Sequence, residues 1–253
     1  MMRTLKLNLY TLLILLATGM QAQMEKPQAF WVHEDHVKPA MADEYEAIGK
    51  QLIDNLKKHN IQDEQWITAQ TADFRYLYVG PLNNMADLDR ELFGTLSEKM
   101  GQDNLAKLLS EMDGYYTKHF NYVIYLDPEL SYMPAGITQM PEGKNFRKFY
   151  YLHTTPAMND QLAEAMKGIK ELYESSGSEM EYRVYRSGFG APNDFFMVAI
   201  ADKDPLTYEQ NSLANQARLG DAAKPVFDKA MDYVTKFEVI PGNMRPDLGY
   251  SPE

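Results

Sequence analysis

Apolar residues recur at three- and four-residue spacing over Met41, Tyr45, Ile48, Leu52 and Leu56. The same spacing returns 117 residues later at Met158, Leu162, Ala165, Ile169 and Tyr173. A stripe of that period marks one face of an amphipathic helix. Each stripe follows an aromatic and β-branched segment, residues 30–37 and 146–154, that reads as a strand. Each also follows a proline, Pro39 or Pro156, placed where a helix can begin. The junction is spelled almost identically both times, His36-Val-Lys-Pro39-Ala-Met41 and His153-Thr-Thr-Pro156-Ala-Met158. A phrase repeated at a fixed offset, with matching hydrophobic positions behind it, predicts a structural unit used twice.

The remainder of each unit repeats more loosely. Strands are predicted over 66–70 and 74–79, answered by 182–186 and 195–200, with Gly188-Phe-Gly190-Ala-Pro192-Asn193 supplying turn chemistry between the latter pair. Helical segments follow, ending in 112–120 and 231–237, and closing strands contain Val123-Ile124 and Val239-Ile240. The predicted order is βαββαβ, twice. Pro128, Pro134, Pro141, Gly136 and Gly143 mark a linker, and Gly242, Pro246, Gly249 and Pro252 an irregular arm. The expected organisation is a signal peptide at 1–23, a first half at 24–127, a linker at 128–145, a second half at 146–241 and an arm at 242–253.

The signal peptide is read from Arg3 and Lys6 before an apolar run over 7–17 and a polar Gln21-Ala22-Gln23. The run is too short for a membrane span, so the expectation is an exported protein, periplasmic or secreted. Without any cysteine there is no disulfide, thiolate zinc site, cysteine nucleophile or lipid-anchored cysteine. The remaining chain, about 230 residues, is long enough for a sizeable core. Losing the two positive charges of Arg3 and Lys6 takes the formal charge from −11 to −13. So acidic a chain repels phosphate backbones and anionic lipid, which argues against nucleic acid and membrane surfaces as partners.

An extended strand, then Val37-Lys-Pro39 or Thr154-Thr-Pro156, then the amphipathic helix resembles the ferredoxin-like unit of the dimeric α/β-barrel superfamily, which includes antibiotic-biosynthesis-monooxygenase-like and NIPSNAP-like proteins. The resemblance covers residues 28–241. It implies an α+β fold of two tandem ferredoxin-like βαββαβ halves packed sheet to sheet as a dimeric α/β-barrel-like unit, each sheet covering the bare face of the other. It also implies a small-molecule pocket, and the superfamily holds cofactor-free oxygenases and haem-degrading enzymes. Haem is thus a cofactor the resemblance allows, while the residues themselves predict none. No catalytic set of those enzymes has a positional match here.

His36 and His153 are the leading candidates for chemistry, because the duplication relates them and facing sheets would bring both to one cavity. There an imidazole can bind a ligand, accept a proton or coordinate a metal; a hydrogen bond to a local backbone group at the strand end explains them without any ligand. Within His33-Glu34-Asp35-His36, strand alternation sends His33 and Asp35 to one face and Glu34 and His36 to the other, so the four cannot converge on a metal. The expected metal site is therefore none. Tyr151, Trp66, Tyr78 and Arg183 join Glu34 and the two histidines as candidate ligand-binding residues, the aromatics to line a concave site and the arginine to hold an anion. His119 is expected at a helix C-terminus. No nucleophile elbow, phosphate loop, dinucleotide fingerprint or His-Glu-x-x-His helix is present. The sequence therefore leads to an exported small-molecule-binding protein, monomer or homodimer, more a binder than an enzyme. A cofactor-independent oxygenase or haem-handling enzyme and a purely structural protein are the alternatives.

Overall fold

The computed structural model describes residues 26–252, so the expected signal peptide lies outside the described residues. Eight strands, β1 (Gln28–Val37), β2 (Ile67–Thr71), β3 (Arg75–Leu82), β4 (Tyr116–Tyr132), β5 (Phe146–His153), β6 (Tyr182–Ser187), β7 (Phe195–Asp202) and β8 (Lys236–Met244), form one closed antiparallel barrel. The order around it is β1-β3-β2-β8-β5-β7-β6-β4. Strands β1 to β4 thus lie together as the run β4-β1-β3-β2, and strands β5 to β8 as the run β8-β5-β7-β6.

Two separate sheets meeting face to face is not what the chain builds. β2 pairs with β8 through Ala69, Gln70 and Thr71, and β4 pairs with β6 from Ile124 to Asp127. The reason lies in the edges: a four-stranded sheet covered on one face still carries two rows of unpaired backbone groups. Closing the barrel satisfies both rows and shuts away the inner faces in the same step. Since every neighbouring pair is antiparallel, β1 and β5 run in the same direction on opposite walls.

Helix α1 (Ala42–Lys58) covers the outer face of the first half, with Asp43 and Glu44 in its first turn and Lys57 and Lys58 in its last, matching its dipole at both ends. Tyr45, Ile48, Leu52 and Leu56 of the predicted stripe are buried, whereas Met41 lies in the preceding 3-10 turn and is exposed. Two short helices, α2 (Gly94–Met100) and α3 (Gln102–Ser110), follow β3, with Gly101 at φ +92 between them. α4 (Asn159–Ser175) packs Leu162, Ala165, Met166 and Tyr173 onto the second half. α5 (Pro205–Leu219) starts with Asp204 accepting the backbone N–H of Thr207 at 2.8 Å and Pro205 in the first turn, and α6 (Ala223–Met231) completes the layer.

The predicted helical end at 112–120 is an error. The chain makes a 3-10 turn at Met112–Gly114 and is a strand from Tyr116, which puts His119 in β4 and not at a helix C-terminus. β4 also runs past Pro128 to Tyr132, its register with β6 shifting between Asp127 and Tyr132. The segment 133–145 then crosses one end of the barrel, where Ile137 packs on the interior cluster of Val32, Leu77, Ile124, Phe149, Met197 and Met244. The tail lies on the first half: Trp66 Nε1 and Thr68 Oγ1 both donate to the Leu248 carbonyl, at 2.9 and 2.7 Å, and Arg245 clamps the Glu46 carboxylate through both terminal nitrogens.

The β2·β8 seam depends on a glycine. A Cβ at Gly242 would meet the Gln70 carbonyl oxygen at 2.5 Å, a backbone atom that cannot step aside. Gly242→Ala should lower stability by about 1–3 kcal/mol in urea unfolding. Gly114→Ala, where a Cβ meets nothing within 4 Å, should stay within about 0.5 kcal/mol of the parent.

Candidate functional site

Alternation along β1 divides the four-residue polar run as its spacing predicts, Glu34 and His36 entering the barrel and His33 and Asp35 facing outward. Inside, His36 Nε2 donates to Glu34 Oε1 at 2.8 Å, and Tyr122 OH donates to Glu34 Oε2 at 2.6 Å. Glu34 is buried, so this carboxylate draws its compensation from those two donors. The phenol of Tyr122 titrates far above its ordinary value because of burial and then the Glu34 charge beside it.

His153 ends β5 at the same mouth, because β1 and β5 run in the same direction. Its Nε2 donates to Glu238 Oε2 at 2.5 Å. Burial opposes the charge of Glu238, but the hydrogen bonds from Lys236 and His153 outweigh it and hold its pKa low. Arg75 stands between the two histidine–carboxylate pairs. Its Nη2 is 2.7 Å from Asp73 Oδ2 and 3.9 Å from Glu238 Oε1, and its guanidinium carbon lies 6.0 Å from the centre of the Tyr151 ring. Phe120 meets the ring of His36, and Phe195 those of His153, Tyr151 and Tyr122, at centroid distances of 5.4 to 6.4 Å. The site is therefore a polar rim of two imidazoles, two carboxylates and one guanidinium set on aromatic walls.

Of the residues expected from sequence, His36, His153, Glu34 and Tyr151 come together here. Trp66 does not: it packs outside the barrel against Phe93 and Tyr250. Tyr78 also faces outward, donating to Tyr45 OH at 2.9 Å, since it occupies the opposite strand parity from Leu77. Arg183 is inside but at the far end, on β6. Glu238, Tyr122 and Arg75 complete the cluster. Tyr122 lies between the stretch misread as a helix end, 112–120, and the expected closing strand at Val123-Ile124, and Glu238 shares a site with β1 only through the closed barrel.

A second polar network lies under α1. Tyr45 OH donates to Asp35 Oδ2 at 2.6 Å, His33 Nε2 sits 3.1 Å from Asp35 Oδ1, in ion-pair range though off the hydrogen-bond line, and His33 Nδ1 faces Asn121 Oδ1 at 2.9 Å. Burial alone would lower the pKa of His33, but Asp35 and Asn121 together raise it above the ordinary value. The second half has no counterpart: Tyr150 and Leu152, 117 residues on from His33 and Asp35, pack in an apolar core.

Among the described residues no group of three or more His, Cys, Asp or Glu is arranged to hold a metal ion, and no helix is long and apolar enough to cross a membrane. The barrel interior does not fit haem. Its cavity, about 50 Å³, is far below the few hundred Å³ of an ordinary organic-ligand pocket, and Nε2 of both inward histidines already engages a carboxylate.

No protein-family model matches the sequence, and no curated protein is significantly similar to it. Solved structures are similar in fold. An anthrone oxidase-like protein superposes with a TM-score of 0.58 at 14% identity, over 88% of this chain and 92% of its own. A candidate monooxygenase from Lactobacillus acidophilus NCFM gives 0.52 at 13% identity, over 90% and 97%, and another from Fusobacterium nucleatum gives 0.51 at 10%, over 90% and 99%. At such identities the likeness is one of architecture: the chain shares the α/β-barrel fold of these structures.

The raised pKa of His33 makes a signed prediction. A group that binds its proton more tightly when folded adds stability that is fully present below the unfolded value of 6.5 and is lost as pH rises through the folded value. Asp35→Asn should bring the His33 pKa, followed by NMR, down from above 6.5 to below it, and should flatten stability against pH in that window.

Proposed function

We propose that this protein binds a small planar molecule bearing hydroxyl or amide groups across the barrel mouth. The observation that supports the reading is the convergence of His36–Glu34 and His153–Glu238 on either side of Arg75, over walls of Phe120, Phe195 and Tyr151. Each imidazole is oriented by a carboxylate, as a group that must meet a ligand in one geometry is. The rim side chains keep access to water, His36 at 30% exposure and Glu238 at 22%, while Glu34 anchors the base. The two halves are proposed to be tandem copies of one ferredoxin-like unit, on the repeated phrase and the matching strand runs. Export is proposed on residues 1–23.

A specific observation favours a second reading, a cofactor-independent oxygenase. Hydrogen bonds run from Tyr78 through Tyr45 to Asp35, with His33 in ion-pair range of that carboxylate, so groups able to bind and release protons are gathered beneath α1, in a fold shared with an anthrone oxidase-like protein.

One comparison separates the two. Calorimetry with resorcinol should show saturable binding that weakens about tenfold in His36→Ala and in His153→Ala, the loss of one charge-assisted hydrogen bond each, while toluene does not bind. An oxygen electrode with anthrone should show no uptake above buffer. Resorcinol binding that ignores both substitutions sinks the mouth reading, and oxygen uptake that disappears in Tyr45→Phe puts the oxygenase first.

A further inference from the structure

Opposite the mouth, the barrel contains two charges that no acid neutralises. Arg147 on β5 and Arg183 on β6 are 1% and 3% exposed. Arg183 Nη1 donates to the carbonyls of Thr138 at 2.8 Å and Gln139 at 2.6 Å. Arg147 donates to Gln139 and Phe146 carbonyls at 3.0 Å each and to that of Lys144. Every one of these acceptors is a neutral main-chain oxygen on or beside the crossing segment. Arg183 uses Nη1 alone, so its Nε–H and Nη2–H, the parallel pair that grips a carboxylate, have no acceptor among the described residues. Burial, and next the Arg183 charge, pull the Arg147 guanidinium down to about 9.

Removing one guanidinium from water costs several kcal/mol unless a counter-charge is supplied, and two side by side add mutual repulsion. Carbonyl dipoles offset part of that cost and leave the end of the barrel net positive. Directly against the pair lies the cavity of about 50 Å³, whose remaining lining, including Leu77, Phe149, Met197 and Met244, is almost wholly apolar. A cavity of roughly 150 Å³ accepts the six carbons of benzene, so this one, about a third of that volume, admits a tail of only about two carbons.

We propose that the closed end of the barrel binds a short-chain monocarboxylate, its oxygens on Arg147 and Arg183 and its hydrocarbon tail in the cavity. The site stands on the arginine pair alone, so failure of the mouth reading leaves it untouched, and the converse holds.

The test uses the protein at constant ionic strength with propionate and its neutral isostere propionamide. Propionate should raise the melting temperature by several degrees and bind saturably, propionamide and added chloride should do neither, and Arg183→Gln should weaken propionate at least tenfold. Equal effects of propionate and propionamide, or undiminished binding by Arg183→Gln, overturn the proposal. Should that variant not fold, the parent protein with ¹⁵N-labelled arginine decides: propionate must shift the buried guanidinium N–H signals where sodium chloride does not, and unmoved signals overturn it equally.

Discussion

Four-stranded sheets have edges, and an unpaired edge inside a folded chain is costly because each free N–H and C=O has lost its water without gaining a partner. The pairings β2·β8 and β4·β6 remove all four edges at once. From that closure follow the parallel course of β1 and β5, the meeting of His36 and His153 at one mouth, and the sealing of the other end by residues 133–145. Eight strands also fix the bore, just wide enough for side chains to fill. That is why the interior is a packed shaft with a narrow gap.

The two ends of that shaft are opposite in electrostatic character. At the mouth, charges occur as pairs of opposite sign with partial access to water. At the closed end, two like charges are buried against neutral carbonyls and an apolar gap. Between them Tyr122 and Phe195 line the cavity and also touch the mouth residues, so the two regions share a wall. The outer faces differ as well: the first half holds the Asp35 network beneath its helix, whereas the second packs Tyr150, Tyr173 and Tyr182 in an aromatic core.

Periodicity made much of this legible. The helix stripes, the strands before them and the split of His33-Glu34-Asp35-His36 between two faces all follow from local geometry, and the structure departs only where the stripe begins, at Met41 and Met158. Residues 112–120 misled because Tyr115, Tyr116, His119 and Phe120 suit a helix end as well as a strand, and the start of β4 is too exposed to show an apolar alternation. The site was legible as far as one strand reaches. Glu34 and His36 are two residues apart and could be paired by reasoning; Glu238, Tyr122 and Arg75 arrive from other strands, and their placement depends on the register of the closed barrel. Arg147 was passed over because Phe146-Arg-Lys reads as an ordinary alternating strand, and only closure reveals that this arginine points inward.

A barrel assembled from two identical chains must present the same residue at both positions related by its dyad. Here β1 presents Glu34 while β5, 117 residues further along the chain, presents Tyr151, and the carboxylate that serves His153 comes from β8. One continuous polypeptide is released from that rule: each wall can specialise, and a stopper needed at a single end has to be encoded only once.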